Sequence, residues 1–209
     1  QVANGPFAPG NMGFLEDNGY PAYDVDAAKE FAAACKEAIG EDLSYVLTVA
    51  NDSQTTATGQ LIQEMAKEFG VEVELKPVPQ SELIDLAIAG DFEAVSFRLY
   101  PGGEPDDNCI FWTTGCPVNF GRIQDDTLTG LMEQGRVSSD EAERTQIYED
   151  VNRRFASEAY NIWQWWTTWD IGTAPNVYGV LGPDLPDGGG KPFQGLAGGH
   201  PVTSMWIDQ

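Results

Sequence analysis

Leu43-Ser44-Tyr45-Val46-Leu47-Thr48-Val49 opens the stretch, ending at Tyr100, whose reading decides the fold. The segment is rich in β-branched and aromatic residues, as strands are. Asn51-Asp52-Ser53-Gln54 follows, with side chains able to accept from the unsatisfied N–H groups of a helix start. Leu61, Ile62, Met65, Ala66 and Phe69 then recur at the spacing of one helical face, and Gly70 closes the helix. Val71-Glu72-Val73-Glu74-Leu75 alternates apolar and acidic residues, which predicts a strand with one wet face near a sheet edge, stopped by Pro77 and Pro79. Ser81 to Ala89 reads as a short helix ended by Gly90, and Phe92 to Leu99 as a third strand. Strand, helix, strand, helix, strand with right-handed crossovers gives an α/β fold: a small, largely parallel sheet flanked by helices.

Working outward, residues 1–22 carry Pro6, Pro9 and Pro21 with no helical period and read as an extended connector. Asp26 is the expected N-cap of a helix from Ala27 to Ile39 whose face of Phe31, Cys35 and Ala38 covers the sheet, with Gly40 as its stop. Pro101 to Arg122 is too long for a mere connection, and loops of that length are usually functional. Asp125-Asp126-Thr127 caps a helix to about Gln134. Ser138 to Glu141 starts another, whose stripe is Ile147, Val151 and Phe155 with Tyr148 beside them; the two make a helical hairpin. Asn161 to Trp169 is a β-prone run holding four of the six tryptophans, either a core strand or an aromatic wall of a ligand cleft. After Thr173 the chain turns Gly- and Pro-rich, with Asn176 to Leu181 as one strand. The expected plan is thus 1–22 connector, 23–172 α/β lobe, 173–209 irregular return segment.

With 42% apolar residues, the 209-residue chain can bury one good core. Its 33 acids against 11 bases give a net charge of −22, a field that opposes nucleic acid or an anionic membrane as partner and also serves plain solubility. No apolar run reaches the ~20 residues of a membrane span. The first residue is Gln1, so processing or excision from something longer is expected. Of the three cysteines, Cys109 and Cys116 bracket a short loop suited to a disulfide, with Cys35 left on its helix. A bridge would imply an oxidising compartment. Structural thiols are the alternative; zinc is disfavoured because His200 is the only imidazole.

Motifs for catalysis are missing. His200 has no neighbouring nucleophile, carboxylate pairs arise by chance among so many acids, and Ala50-Asn51-Asp52-Ser53 lacks the glycines of a phosphate cradle. Glu104-Pro105-Asp106-Asp107 lacks the order of a calcium loop. No catalytic residue, metal or cofactor is therefore expected. In open α/β sheets ligands gather outside the carboxyl ends of the strands. This nominates Asn51, Asp52, Arg98, Tyr100, Glu104 and Trp112, with Trp165 and Trp166 from the aromatic run.

The order of these elements, with Pro21-Ala22-Tyr23-Asp24-Val25-Asp26-Ala27-Ala28-Lys29, Gly59 to Val71, Gly90-Asp91-Phe92-Glu93-Ala94 and the Asp140/Arg144/Tyr148 spacing, resembles the carboxyl-terminal lobe of peptide- and nickel-type extracytoplasmic solute-binding proteins of ABC importers. The resemblance implies a periplasmic-binding-protein-like lobe, with residues 1–22 arriving from a missing first lobe and 173–209 returning to it. It also implies a non-enzymatic receptor that captures a small or peptide-like solute by lobe closure and delivers it to a membrane permease. The setting would be the periplasm or cell surface, with lipid anchoring of the full-length protein in view. Where the family carries Gly-Trp-x-x-Asp to hold a peptide ammonium, Phe97-Arg98-Leu99-Tyr100-Pro101 replaces the Trp with Arg98 and the Asp with Pro101. That departure favours an anionic or hydroxyl-rich ligand group. A self-sufficient extracellular module binding protein or glycan is the competing reading, with a hydrolase third. An isolated lobe would expose Phe7, Phe14, Val177, Tyr178, Leu181, Phe193 and Trp206, and self-association is expected to cover them.

Overall fold

The computed structural model describes residues 1–99, 104–167, 171–186, 188, 190–191 and 202–208. Tyr100, Trp169, Phe193 and His200 lie outside the described residues. The chain forms two compact units: Pro21–Leu99 with Gly115–Ile123, and Gln1–Tyr20 with Tyr100–Thr114 and Gln124–Gln209. The boundary therefore runs through the long loop, and the helical hairpin leaves the α/β unit for the other.

The α/β unit contains α1 (Val25–Ile39), β1 (Ser44–Ala50), α2 (Ser53–Glu68), β2 (Glu72–Val78), α3 (Gln80–Ala89) and β3 (Ala94–Val95). Its sheet has the order β2-β1-β3, wholly parallel, with Ser44 opposite Glu72 and Leu47 opposite Ala94. As central strand, β1 is buried from Leu47 to Ala50. Leu47 and Val49 join Val71, Val73 and Ala66 in one cluster with Ala32 and Ile62 against it, while α3 contributes buried Leu83 and Ala87. Three expectations change. β2 runs through Pro77, because an edge strand has one side without ladder partners and the missing N–H costs nothing there. β3 is only two residues long, with one further bond from Ser96 N to Thr48 O at 2.9 Å. The N-cap of α1 is Asp24, whose Oδ1 accepts from Asp26 N and Ala27 N, so the helix starts earlier and its inward face carries Ala32; Phe31 is 76% exposed.

In the second unit, a 3-10 turn at Pro105–Asn108 leads into α4 (Cys109–Trp112), followed by α5 (Asp126–Val137), α6 (Glu141–Glu158), β4 (Val177–Tyr178) and β5 (Trp206–Ile207). α5 and α6 form the expected hairpin, burying Leu128 and Met132 with Ile147, Tyr148, Val151 and Phe155. At Gly135 a Cβ would stand 2.6 Å from Tyr148 Cζ, so the close packing requires a glycine. Asp125 ties the hairpin together. Oδ1 caps α5 through Thr127 N (2.9 Å) and Leu128 N (3.1 Å), and Oδ2 accepts from Arg154 Nε (2.7 Å) and Tyr160 Oη (2.8 Å). Burial pushes its carboxyl pKa up, but the bonds from Arg154 and Tyr160 outweigh it and hold the carboxyl below its ordinary value.

Residues 1–20 form an integral layer of this unit and not a free connector. Phe7 is 4% exposed, edge-on to Trp112 and Tyr148. Asn152 Nδ2 donates to Gly13 O (2.9 Å), and Asn18 Nδ2 donates to Asn152 Oδ1 (2.6 Å) and Asn4 O (2.8 Å). Ala3 N donates to Gln164 O (3.2 Å) and Trp166 N to Gln1 O (3.1 Å), so the tryptophan run pairs with the amino terminus. At the other end Tyr178 stacks on Trp206, ring centroids 4.4 Å apart, with Trp206 still 55% exposed.

Candidate functional site

Because the three strands are parallel, their carboxyl ends, Ala50, Val78 and Val95, share one edge of the sheet, and α2 begins there. Asn51 N donates to Val78 O at 2.9 Å and fixes the turn leaving β1. Asp52 caps α2: its Oδ1 accepts from Thr55 N (2.9 Å) and its Oδ2 from Thr55 Oγ1 (2.6 Å). Thr55 Oγ1 in turn accepts from Arg98 Nη2 at 3.0 Å. Three side chains thus form a relay from the segment after β3 to the start of α2, with Thr55 buried and both charged groups exposed. The Thr55 hydroxyl bond, then the Thr55 backbone bond, with the Arg98 charge adding, hold the Asp52 carboxyl below its ordinary value. Thr55 escaped the sequence reading; the Asp-x-x-Thr spacing of a cap was its only signal.

The remaining nominated residues belong to the other unit. Glu104 is taken up structurally: its Oε1 accepts from Arg144 Nη2 and, at 3.3 Å, from Asp106 N, capping the 3-10 turn. Arg144 Nε also donates to Gly135 O (3.0 Å), and Arg136 binds both oxygens of Asp106 at 2.8 and 3.2 Å, so two arginines of the hairpin clamp residues 104–106. Trp112 corrects an expectation. It is 3% exposed, edge-on to Phe155 (4.8 Å) and Phe7 (6.0 Å), which makes it core and leaves no face for a solute. Trp166 donates from Nε1 to Gly5 O (3.1 Å) and meets Phe14 edge-on at 5.8 Å, while Trp165 keeps 40% exposure beside Val2.

The expected Cys109–Cys116 disulfide is absent; both residues, like Cys35, are unbridged. Hydrogen bonds close the loop instead. Thr113 Oγ1 donates to Cys109 O (2.6 Å), Thr114 N to Thr129 Oγ1 (3.1 Å) and Asp125 N to Thr114 Oγ1 (3.2 Å), with Cys109 committed to the helical turn of α4. Among the described residues no group of three His, Cys, Asp or Glu side chains is placed to hold a metal ion, and no helix is long and apolar enough to cross a membrane.

Comparison with known proteins identifies this architecture. The family model for bacterial extracellular solute-binding proteins, family 5 (middle), matches residues 1–121. The chain belongs to this family. Family 5 membership bears out the resemblance in the sequence and the periplasmic-binding-protein fold. This family 5 chain is 26% identical over 168 residues to di/tripeptide-binding protein 4 of Pseudomonas aeruginosa (strain UCBPP-PA14), covering 75% of itself and 31% of that protein. It therefore spans about a third of that relative's length. Among solved structures it is similar to AgaA from A. tumefacien R10 in complex with agropinic acid (20% identity, 86% of this chain and 38% of that one, TM-score 0.71). It is also similar to the oligopeptide-binding protein AppA from Bacillus subtilis in complex with a nonapeptide (20%, 77% and 35%, TM-score 0.66).

Proposed function

We propose that the chain is the solute-binding part of an ABC-importer receptor working outside the cytoplasm. It captures a small peptide or peptide-like solute without chemical change and presents it to a membrane permease. The observation that carries this reading is the polar relay of Asp52, Thr55 and Arg98 at the carboxyl edge of a parallel sheet, the place where α/β folds gather ligands. The family and the di/tripeptide-binding relative support it, and so does the lack of any nucleophile paired with a base in the sequence. Capture proceeds by closure of this lobe against a second one supplied by the rest of the full-length protein, which excludes water and strengthens each polar contact.

Isothermal titration of the full-length gene product with a library of di- and tripeptides, together with small-angle scattering, tests the reading. Saturable binding with a fall in radius of gyration is expected. Failure of every small solute to bind, with retention on a glycan or protein array, would instead establish a self-sufficient interaction module. The exposed Tyr178–Trp206 stack would be its natural contact.

A further inference from the structure

We infer that Arg98 is the specificity-determining residue of the solute site and that it receives a carboxylate of the bound solute, with Thr55 and Asp52 as its positioning residues. The inference rests on the solute-binding reading and deepens it. Among the described residues, seven of the eleven cationic side chains lie within ion-pair distance of a carboxylate: Lys29, Lys36, Arg136, Arg144, Arg153, Arg154 and Lys191. Arg122 gives its guanidinium to a backbone carbonyl, Ala89 O, at 2.7 Å. Arg98 alone among the arginines is held by a hydroxyl, Thr55 Oγ1, and is exposed.

In a chain carrying 33 acids, a guanidinium left without a carboxylate stands out. The nearest acid is occupied: Asp52 Oδ1 is bound by Thr55 N and Oδ2 by Thr55 Oγ1. Arg98 therefore has one N–H fixed and its other donors open, the fork geometry that matches a carboxylate bidentately. The hydroxyl fixes orientation without neutralising the charge, so less side-chain entropy remains to be lost on binding. The net charge of −22 decides between anions: it penalises a multiply charged group such as phosphate far more than one carboxylate. The carboxylate belongs to a peptide terminus, to an acidic peptide side chain, or to a sugar–amino acid conjugate.

The test titrates the full-length gene product and its Arg98→Gln, Arg98→Lys and Thr55→Val variants with di- and tripeptides, the same peptides as carboxyl-terminal amides, and mannopinic acid. In the wild type, acids are expected to bind on the order of 10- to 100-fold more tightly than amides. Arg98→Gln should abolish that ratio with an unchanged melting temperature, Arg98→Lys should keep part of it, and Thr55→Val should reduce it a few-fold. Preference among terminal acids, side-chain acids and mannopinic acid tells which source the site reads, provided that Arg98→Gln removes it. Equal binding of acids and amides, or a ratio that survives Arg98→Gln, overturns the assignment while solute binding stands. Binding of none of these probes overturns the assignment and the solute-binding reading together.

Discussion

The α/β unit and the hairpin unit are built by different means. In the first, apolar residues recur at strand and helix periods and bury themselves by that recurrence: Leu47 and Val49 meet Ala66, Val71 and Val73. In the second, a segment with no period is fastened to α6 by amide side chains and by close backbone approach. At Gly5 a Cβ would lie 2.2 Å from Asn152 Oδ1, and at Gly13 it would lie 2.7 Å from Phe7 Cδ2 and Tyr148 Cβ. Periodic burial tolerates moderate change, whereas polar fastening concentrates stability in a few atoms.

The largest effect should therefore come from the most connected polar atom pair, the Asp125 carboxylate. Asp125→Ala removes an N-cap and the charge-assisted bonds from Arg154 and Tyr160, a loss of about 3 kcal/mol read by chemical denaturation. Because the folded Asp125 carboxyl lies below its ordinary value, its contribution is full above an unfolded pKa of about 3.9 and is lost as pH falls through the lower folded value. The gap between wild type and variant should stay constant from neutral pH down to about pH 4 and shrink below it. A gap that widens in acid would contradict the account.

Gly135→Ala comes next. Its Cβ would sit within 2.7 Å of Tyr148 Cζ and Oη, both inside the hairpin, which predicts about 1–3 kcal/mol of destabilisation although alanine is the better helix former. A variant more stable than wild type would show that Tyr148 yields freely. The smallest effect belongs to the α/β unit. Asp52→Ala loses the cap of α2 for roughly 0.5–2 kcal/mol, softened by the exposure of the site, and releases Thr55 from its hydroxyl bond. Thermal melts rank the three; Asp52→Ala above Asp125→Ala would dissolve the contrast between the units.

The same contrast explains what could be read in advance. Strand and helix order, the edge position of β2 and the Gly90 stop are written in spacing and capping residues, and they stand in the structure. Pro77 misled because a proline stops a central strand but not an edge one, and sheet position is not a local property. The role of Thr55 was visible only as the fourth residue of a cap, since its bond to Arg98 joins positions far apart in sequence. Trp112 and Glu104 were placed beside the site by their loop; their partners Phe155 and Arg144 lie on α6, a tertiary pairing that composition does not encode. The cysteine pair had the spacing for a bridge, but α4 claims Cys109 for a helical turn.

The central claim is that solute meets the carboxyl edge of the sheet. Amide chemical-shift mapping of the full-length gene product, titrated with the tightest-binding peptide or mannopinic acid, addresses it directly. The account predicts the largest shifts at Asn51, Asp52, Thr55 and Arg98. The depression at the opposite, amino-terminal edge, lined by Ser44, Tyr45, Val46, Glu72, Glu74 and Glu93, should stay unmoved. Shifts concentrated at Ser44, Glu72 and Glu93 with Arg98 silent would contradict it.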